Sequence, residues 1–237
     1  MKADTLIIIP TYNEIENVSS ITKEIVALAK GYHILFVDDN SPDGTALEII
    51  KLQLQFPGLV FLEKRNGKMG LGTAYLHGFD WALKNNYTYI FEMDCDFSHN
   101  PKYLNDLRQA CVDGAGLAIG SRYCKGGKVK NWPMNRVLMS YFASVYVRLI
   151  LLINIRDTTS GFKCYHKDVL NAIQLKNNVF KGYAFQICMK YATLKHGFKV
   201  RELPIVFVDR LFGTSKMSSG IFKEALIGVW QMKKMKL

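Results

Sequence analysis

The first half of the chain alternates short apolar runs with longer amphipathic segments. Five runs rich in Ile, Val and Phe predict strands: Leu6–Pro10, Ile34–Asp38, Val60–Glu63, Tyr89–Met93 and Leu117–Ser121. They lack a strict alternation of polar and apolar residues, which is typical of central strands covered on both faces. Helices are predicted to begin between them, near Asn17, Pro42, Leu71 and Pro101. Repeated strand–helix units predict an α/β fold with a doubly wound, mostly parallel sheet.

Two of these helix starts carry a signal of their own. Ser41-Pro42 and Asn100-Pro101 each place an N-cap residue before a proline, which is favoured at the first helical position. The second half is less regular, and its predicted elements are an apolar helix Met134–Ile155, a helix Gly182–Lys195, a strand Val200–Val208 and a basic amphipathic helix Ile221–Leu237. With no repeat or linker in the sequence, we expect a single domain over residues 1–237.

One segment approaches the apolar density of a membrane span. It is Val137–Ile155, with Arg148 inside it and Arg136 and Arg156 at its ends. A span needs roughly 20 largely apolar residues, and a central arginine opposes insertion by several kcal/mol. We therefore expect a helix that lies on a surface and does not cross a bilayer.

Composition then bounds the class of protein. Apolar residues make up 49% of the chain and charged residues 22%, which suits a large core and excludes wholesale disorder. The net charge of +11 favours an anionic partner, such as nucleic acid, a phosphorylated substrate or anionic lipid, although a basic protein without such a partner explains it equally. The five cysteines form no CxxC pair or Cys/His cluster, which argues against a zinc site or a disulfide framework. With no signal-peptide pattern at the N-terminus, we expect a reducing, cytoplasmic location.

Acidic residues follow the fourth predicted strand, at the edge of the sheet where ligands of doubly wound folds bind. Asp94 and Asp96 are two residues apart, so their carboxylates are expected on the same side of the chain. Carboxylates this close repel unless a cation or a proton lies between them, and Mg²⁺ and Mn²⁺ prefer such oxygen ligands. The triplet Asp94-Cys95-Asp96 therefore predicts a divalent metal site. The alternative is a pair of solvated loop acids, or a cap for the helix near Pro101.

The second predicted strand also ends in acids, Asp38 and Asp39. An acid at this place commonly accepts hydrogen bonds from a nucleotide, and the alternative is a cap for the following helix. The segment Lys68–Ala74 loosely resembles a glycine-rich phosphate loop, although its glycines are equally explained by a tight turn and close helix packing. Basic residues in loop or helix-edge contexts suit phosphate groups, or are solvated charges: Arg122, Arg136, Arg210 and Lys216.

Taken together, the chain resembles the dolichol-phosphate mannosyltransferase (polyprenyl-phosphate mannose synthase) branch of the family 2 glycosyltransferases, and the resemblance spans nearly the whole chain. The general family pattern is carried by Pro10–Glu14, Asp38–Thr45 and Met93–Asp96. More diagnostic segments are Gly70–Ala74, Gly120–Tyr123, Thr159–Phe162, Gly182–Gln186 and Phe207–Met217. The resemblance implies a GT-A fold with peripheral amphipathic helices, a nucleotide-sugar-binding half over residues 1–125 and an acceptor-facing half over 126–237.

The resemblance also implies roles for individual residues. Those assigned to the nucleotide sugar are Pro10, Tyr12, Glu14, Asp39, Lys68, Asp94, Cys95, Asp96, Arg122, Arg210 and Lys216. Asp94 and Asp96 would hold Mg²⁺ or Mn²⁺, and Arg122 and Arg136 would bind the acceptor phosphate. The residues expected to be catalytic are Asp96, Arg122 and Arg210.

The implied reaction is transfer of mannose from GDP-mannose to a polyprenyl phosphate, with inversion at the anomeric carbon. The acceptor is already anionic and needs no enzyme base, so catalysis would be positioning plus electrostatic stabilisation of the departing diphosphate. The enzyme is expected to be peripheral on the cytoplasmic face of a membrane, through Met134–Ile155 and the basic C-terminal helix. Ordinary core packing or a dimer surface is the alternative for these helices, and a homodimer or a membrane-protein partner stays open.

Two other functions compete with this interpretation. One is a related transferase that uses UDP-glucose or another sugar nucleotide. The other is a non-catalytic protein that binds a membrane surface or nucleic acid. Because acids cluster along the predicted sheet edge, a nucleic-acid groove is disfavoured there, and we expect no nucleic-acid partner.

The chain departs from the family pattern at four positions. Cys95 stands where Ala is usual, and its side chain is expected to point inward. Ser98 stands where relatives can carry a metal-binding Gln. Lys163 replaces a frequent Arg and Cys188 a frequent Glu, both in the acceptor-facing half.

Overall fold

The structure of the chain is a computed structural model that describes residues 3–173, 180, 182–209 and 219–235. Its strands are β1 (Thr5–Thr11), β2 (His33–Asp38), β3 (Val60–Lys64), β4 (Tyr89–Glu92), β5 (Leu117–Ser121), β6 (Lys128–Lys130), β7 (Lys163–His166), β8 (Val200–Pro204) and β9 (Val206–Val208). Its α-helices are α1 (Ile15–Ala27), α2 (Thr45–Gln55), α3 (Leu71–Lys84), α4 (Leu104–Val112), α5 (Met134–Leu151), α6 (Lys167–Ala172), α7 (Gly182–Lys195) and α8 (Ser219–Lys234).

Seven strands form the central sheet, in the order β3-β2-β1-β4-β7-β5-β8. All neighbours in it are parallel except β7, which runs antiparallel to both β4 and β5. Successive residues of β1 enter different cores: Leu6 and Ile8 belong to one apolar cluster, and Ile7 and Ile9 to the other. A core on each face of the sheet explains why the strand is apolar without alternation. The predicted α/β, mostly parallel, doubly wound architecture is confirmed.

All five predicted strands are present, and the fifth has the predicted bounds. The prediction of one strand over Val200–Val208 is wrong, because the segment divides at Ile205. The Ile205 amide donates to Ser121 O and its carbonyl accepts from Lys128 N, so the chain passes from β5 to β6 at this point. Beyond it, β9 leaves the central sheet and pairs with β6. Strand β7 was not predicted, since its four residues are bounded by Lys163 and His166 and show no long apolar run.

The helix expected near Pro42 begins three positions later than the Ser41-Pro42 signal indicated, at Thr45. Ser41 donates its hydroxyl to Asp38 instead of capping a helix, at 2.6 Å. Gly44, in the left-handed region at φ 91°, lies at the start of the helix. At the other signal the cap is confirmed, since the Asn100 side chain accepts from Lys102 N at 3.0 Å, but a 3-10 turn precedes α4.

The long apolar helix α5 ends at Leu151, four residues before its predicted end at Ile155, because Leu152 adopts the left-handed region at φ 55°. The helix over Gly182–Lys195 is confirmed. The C-terminal helix runs over Ser219–Lys234, two residues earlier than predicted at its start. Within the residues that the structure describes, no helix is long and apolar enough to cross a membrane.

Two glycines let α3 pack closely against its neighbours. A Cβ atom at Gly78 would lie 2.6 Å from Ile8 Cγ2, and one at Gly72 would lie 2.8 Å from Phe185 Cγ. Both distances are below van der Waals contact, so a side chain at either position would force the helix away from the sheet or from α7. The close-packing interpretation of the glycine-rich segment is therefore correct for Gly72.

Candidate active site

A cavity of about 500 Å³ lies beyond the carboxyl ends of the parallel strands. Predicted site residues line it from widely separated parts of the chain: Pro10, Tyr12, Glu14, Asp39, Lys68, Asp94, Cys95, Asp96, Arg122 and Arg136. Arg210 and Lys216 lie outside the described residues. The fold thus brings ten of the twelve predicted residues to one space, and their roles stay predictions.

The acidic pair lies in the turn that follows β4. Phe97 adopts the left-handed region at φ 63°, which reverses the chain directly after Asp96. Ser98 donates its hydroxyl and its amide to Asp96 Oδ1, at 2.6 and 3.1 Å. The Tyr75 hydroxyl, from the buried side of α3, donates to Asp94 Oδ1 at 3.2 Å. Cys95 between them points into the core, 3% exposed, as expected.

The electrostatics of this turn suit a cation. Burial raises the pKa of Asp94, and the neighbouring Asp96 carboxylate raises it further. Two cavity-lining carboxylates fit Mg²⁺ or Mn²⁺, which fill their remaining positions with water and substrate phosphates. Among the described residues there is no group of three or more His, Cys, Asp and Glu that could hold a metal.

His99 supports the turn and was not predicted. Its Nδ1 accepts the Asp94 amide hydrogen at 2.9 Å, which ties the imidazole to the backbone of the turn. The same nitrogen lies 3.7 Å from the Asp94 carboxylate. The ring stacks on Phe162 with 5.0 Å between centroids. A single histidine in a predicted loop carries no sequence signal that would have identified it.

The two acids at the end of β2 have different partners. Asp38 is fully buried and accepts from the Thr11 hydroxyl at 2.9 Å and the Ser41 hydroxyl at 2.6 Å, which is a turn-forming role. Asp39 lines the cavity, where its Oδ1 accepts from Arg65 Nε at 2.6 Å. Arg65 also donates to Thr73 Oγ1 at 2.8 Å, so it ties the end of β2 to the first turn of α3. Sequence reasoning missed Arg65.

Arg122 is held rigidly on the opposite side of the cavity. Its Nε and Nη2 donate to the two carboxylate oxygens of Asp157 at 2.8 and 2.6 Å, and Nη2 also donates to Thr159 Oγ1 at 2.7 Å. Burial acts to raise the pKa of Asp157, but the charge and the hydrogen bonds of Arg122 outweigh it and lower that pKa. The pair is almost completely buried, so the orientation of this guanidinium is set by Asp157.

Arg136 lies nearer the surface. It pairs with Asp209 at 3.2 Å, with about a quarter of its side chain exposed, and its guanidinium lies 4.0 Å from the centre of the Trp132 ring. The guanidinium of Arg122 is 5.5 Å from the same ring. Neither Trp132 nor Phe207, which also lines the cavity, was predicted, since isolated aromatic residues are usually core residues.

A fully buried polar network lies between β4, β7 and α7. Lys163 Nζ pairs with Glu92 at 2.9 Å and also donates to Gln186. Glu92 accepts from Gln186 Nε2 at 2.8 Å and from the Tyr165 hydroxyl at 2.9 Å. Cys188, which stands where relatives often carry a Glu, is buried. Burial raises the pKa of the Cys188 thiol to about 12. The carboxylate partner of Lys163 therefore lies on β4.

A second buried lysine holds the turn that follows Asp157. Lys190 Nζ donates to Thr158 O at 2.9 Å and to Ser160 O at 2.7 Å. Burial lowers the pKa of this amine well below its usual value. Since Thr159 lies between those two carbonyls and contacts Arg122, the lysine fixes the backbone that positions the arginine.

Comparison with known proteins identifies the family of this chain. Residues 6–174, more than half of the chain, match the family model described as Glycosyl transferase family 2. The chain belongs to that family. Polyprenol monophosphomannose synthase of Mycolicibacterium smegmatis is 46% identical over 225 residues, which cover 95% of this chain and 85% of the relative. Undecaprenyl-phosphate mannosyltransferase of Micrococcus luteus is 43% identical over 224 residues, covering 94% and 91%.

Solved structures resemble this glycosyltransferase in fold. Glucosyl-3-phosphoglycerate synthase from Mycobacterium tuberculosis, in complex with Mn²⁺, UDP and phosphoglyceric acid, superposes with a TM-score of 0.73 at 13% identity, covering 99% of this chain and 80% of that one. Its complex with UDP gives a TM-score of 0.70 at 12% identity, covering 98% and 80%. At such identities the likeness concerns the fold alone, and it agrees with the GT-A prediction.

Proposed function

We propose that this family 2 glycosyltransferase moves mannose from GDP-mannose to a polyprenyl phosphate, with inversion of the anomeric carbon. The names of two relatives at 46% and 43% identity, each matched over almost the whole chain, support this acceptor and sugar. The observation that carries the proposal is one cavity lined by an acidic turn, Asp94 and Asp96, and by two arginines, Arg122 and Arg136. A nucleotide diphosphate and a lipid phosphate are both anions. The acidic turn suits the diphosphate through a bound metal cation, and the two arginines suit the lipid phosphate.

The donor would occupy the part of the cavity formed by the first two strand ends. Asp39 is proposed to accept hydrogen bonds from the nucleoside, and Tyr12 and Lys68 to border it, since the Lys68 amine lies 5.0 Å from the Tyr12 ring. Pro10 and Glu14 line the same part of the cavity. Arg210 and Lys216 are proposed, from sequence alone, to contact the donor phosphates.

When bound, Mg²⁺ or Mn²⁺ would supply positive charge that stabilises the diphosphate, and Asp94 and Asp96 are the residues that would hold it. Asp94 Oδ1 accepts from the Tyr75 hydroxyl at 3.2 Å, and Asp96 Oδ1 accepts from the Ser98 hydroxyl at 2.6 Å. These contacts orient both carboxylates toward fixed positions. Orientation of this kind is what a metal site with few protein ligands requires.

The acceptor would approach from the side of Arg122 and Arg136. Its phosphate is ionised at neutral pH, so no residue has to remove a proton from it. Held by the guanidiniums, a phosphate oxygen forms a bond to the anomeric carbon on the face opposite the diphosphate. The bond from that carbon to the diphosphate oxygen breaks, and its electron pair leaves with GDP. The configuration at the carbon is inverted.

The lipid tail of the acceptor would require contact with a membrane surface. Apolar side chains on α5 are largely exposed, with Phe142 at 61%, Leu149 at 69% and Met134 at 71%. Trp230 of α8, also exposed, donates to the Tyr146 hydroxyl at 2.9 Å, so the two helices form one surface. An apolar surface beside exposed lysines suits the interface of an anionic membrane. We propose that α5 and α8 lie on the cytoplasmic face.

Replacing Asp96 by Ala tests the function. With radiolabelled GDP-mannose and a polyprenyl phosphate in detergent, the variant is expected to lose at least about 100-fold in kcat, because charge stabilisation of the leaving group is lost. Asp106→Ala, at an exposed acid on α4, is the matched control and should retain wild-type activity. Full transfer by Asp96→Ala would refute the role of the acidic turn. A wild-type preference for UDP-glucose over GDP-mannose would overturn the assignment of the donor.

A further inference from the structure

Four rings form a continuous aromatic wall, in the order Phe162, His99, Phe207 and Trp132, and the last three line the cavity. Their centroids are 5.0, 6.0 and 5.1 Å apart along this series. The second ring, His99, accepts the Asp94 amide hydrogen at 2.9 Å. The last ring, Trp132, contacts the guanidiniums of both arginines. The aromatic wall therefore connects the acidic turn with the two cations across the site.

Trp132 is the member that contacts both cations. The guanidinium carbon of Arg136 is 4.0 Å from the centre of its ring, and that of Arg122 is 5.5 Å away. The negative face of an aromatic ring attracts a cation, so Trp132 favours the presence of both guanidiniums near the cavity. Such a contact also restrains the side chain that makes it.

The two arginines depend on Trp132 to different degrees. Arg122 is fixed by Asp157 through bonds of 2.6 and 2.8 Å, in a pair that is nearly inaccessible to solvent. Among the described residues, the ion pair of Arg136 is the longer contact with Asp209, 3.2 Å, with 26% and 30% of the two side chains exposed. A partly exposed pair of this length holds a side chain weakly. The ring of Trp132, 4.0 Å away, is therefore an important further restraint on Arg136.

The indole of Trp132 makes this contact through its face. Its Nε1 is buried and has no hydrogen-bond partner among the residues that the structure describes. Replacing the indole by another aromatic ring therefore removes no hydrogen bond to the described residues. Leucine, in contrast, keeps apolar volume but offers no π face to a cation.

We propose that Trp132 is a positioning residue that holds the guanidinium of Arg136 against its ring, so that Arg136 and Arg122 together bind a single phosphate group. A phosphate accepts parallel N–H donors from a guanidinium fork, and Arg136 is the residue proposed to present one. The Nε and Nη2 of Arg122 already donate to Asp157 and Thr159, so its contribution is the attraction of its positive charge. The identification of that phosphate as the acceptor's rests on the proposed function.

Steady-state kinetics with Trp132→Leu and Trp132→Phe provide the test. Trp132→Leu is expected to raise the KM for polyprenyl phosphate about tenfold and to leave the KM for GDP-mannose within about twofold, since the loss of one cation–π contact weakens only the acceptor site. Trp132→Phe should stay within about threefold of the wild type for both substrates, because a π face remains. Trp81→Leu is the matched control: Trp81 packs on Phe61, outside the cavity lining, at 5.2 Å. Equal KM increases for donor and acceptor in Trp132→Leu would overturn the proposal.

A double-mutant cycle separates positioning from general destabilisation. In an Arg136→Met background, Trp132→Leu should change the acceptor KM no further, because the cation that the ring holds is gone. Independent, multiplicative effects of the two substitutions would contradict the proposal even if each variant folds poorly.

Fluorescence distinguishes failure of this inference from failure of the proposed function. The chain contains three tryptophans, so Trp81→Phe with Trp230→Phe leaves Trp132 as the single reporter. Its emission is expected to shift on titration with polyprenyl phosphate in micelles, and to stay unchanged with the corresponding uncharged polyprenol. An emission shift without any mannosyl transfer by the wild type would support the inference and contradict the proposed function. Mannosyl transfer by the wild type without an emission shift would contradict the inference and leave the proposed function unaffected.

Discussion

Asp157 shows, at the scale of single residues, how a predicted site residue depends on a partner that was not predicted. Arg122 was expected to bind phosphate, and the structure holds it through both carboxylate oxygens of Asp157 and through its own backbone amide, at 2.9 Å. Glu202 accepts in turn from the Asp157 amide at 2.9 Å. The position of the guanidinium is therefore a property of three segments of the chain.

Asp157→Asn is expected to lower the free energy of unfolding by about 3 kcal/mol at pH 7, because it leaves the buried Arg122 without its counter-charge. Arg122 lowers the pKa of Asp157 in the folded state, against the opposing effect of burial. Such a carboxylate stabilises the fold above its unfolded pKa of about 3.9, and this stabilisation is lost as pH falls through the lower folded value. The difference between wild type and variant should thus stay constant above about pH 5 and shrink below about pH 4, measured by urea unfolding at each pH.

Asp113→Asn serves as the matched control, since Asp113 pairs with Arg201 at 3.6 Å with both side chains about half exposed. It should change stability by less than about 1 kcal/mol. A difference for Asp157→Asn that persists undiminished at pH 3 would contradict the ionic explanation.

At the scale of elements, the junction of β4, β7 and α7 is held by an ion pair inside the core. Glu92 and Lys163 are both fully buried, and burial lowers the pKa of the lysine while Glu92 opposes that shift. Strand β7 is the antiparallel member of the sheet, and this pair joins it to its neighbour β4. Gln186 extends the network to α7, at the wall of the cavity.

Glu92→Leu is expected to destabilise the protein by about 3–5 kcal/mol, because it leaves the buried ammonium of Lys163 without a counter-charge. The double variant Glu92→Leu with Lys163→Met removes both charges and should recover most of that loss, as measured by equilibrium unfolding. Asp80→Ala, which breaks the exposed pair with Lys84, should change stability by less than about 1 kcal/mol. If the double variant were no more stable than Glu92→Leu alone, the polar network and not the charge balance would be the cause.

At the scale of the whole molecule, the apolar residues of α5 are concentrated on a surface that the rest of the described fold leaves open. Leu138 and Phe142 lie one turn apart on this helix, 47% and 61% exposed. Exposed apolar side chains of this size in one patch are typical of an interaction surface. The lysines of β6, Lys128 and Lys130, are exposed and precede the helix.

Replacing Leu138 and Phe142 together by Ser should weaken binding to vesicles of anionic lipid at least about tenfold, since each buried side chain contributes roughly 1.5–3 kcal/mol. Cosedimentation measures this directly. Leu54→Ser removes an apolar side chain that is 81% exposed on α2, and it should leave vesicle binding unchanged. Equal binding by the double variant and the wild type would refute the membrane surface on α5.

The sequence by itself determined the first five strands of the sheet, the family motifs and ten of the residues that line the cavity. It could do so because apolar periodicity and short motifs such as Asp94–Asp96 are local properties. Tertiary structure alone decided the pairing of residues that are distant along the chain. Arg122 meets Asp157 across 35 positions, Tyr165 meets Glu92 across 73, and the ring of Trp132 packs on that of Phe207, which lies on β9. These contacts follow from how the elements pack, and neither the spacing nor the type of either residue encodes its partner.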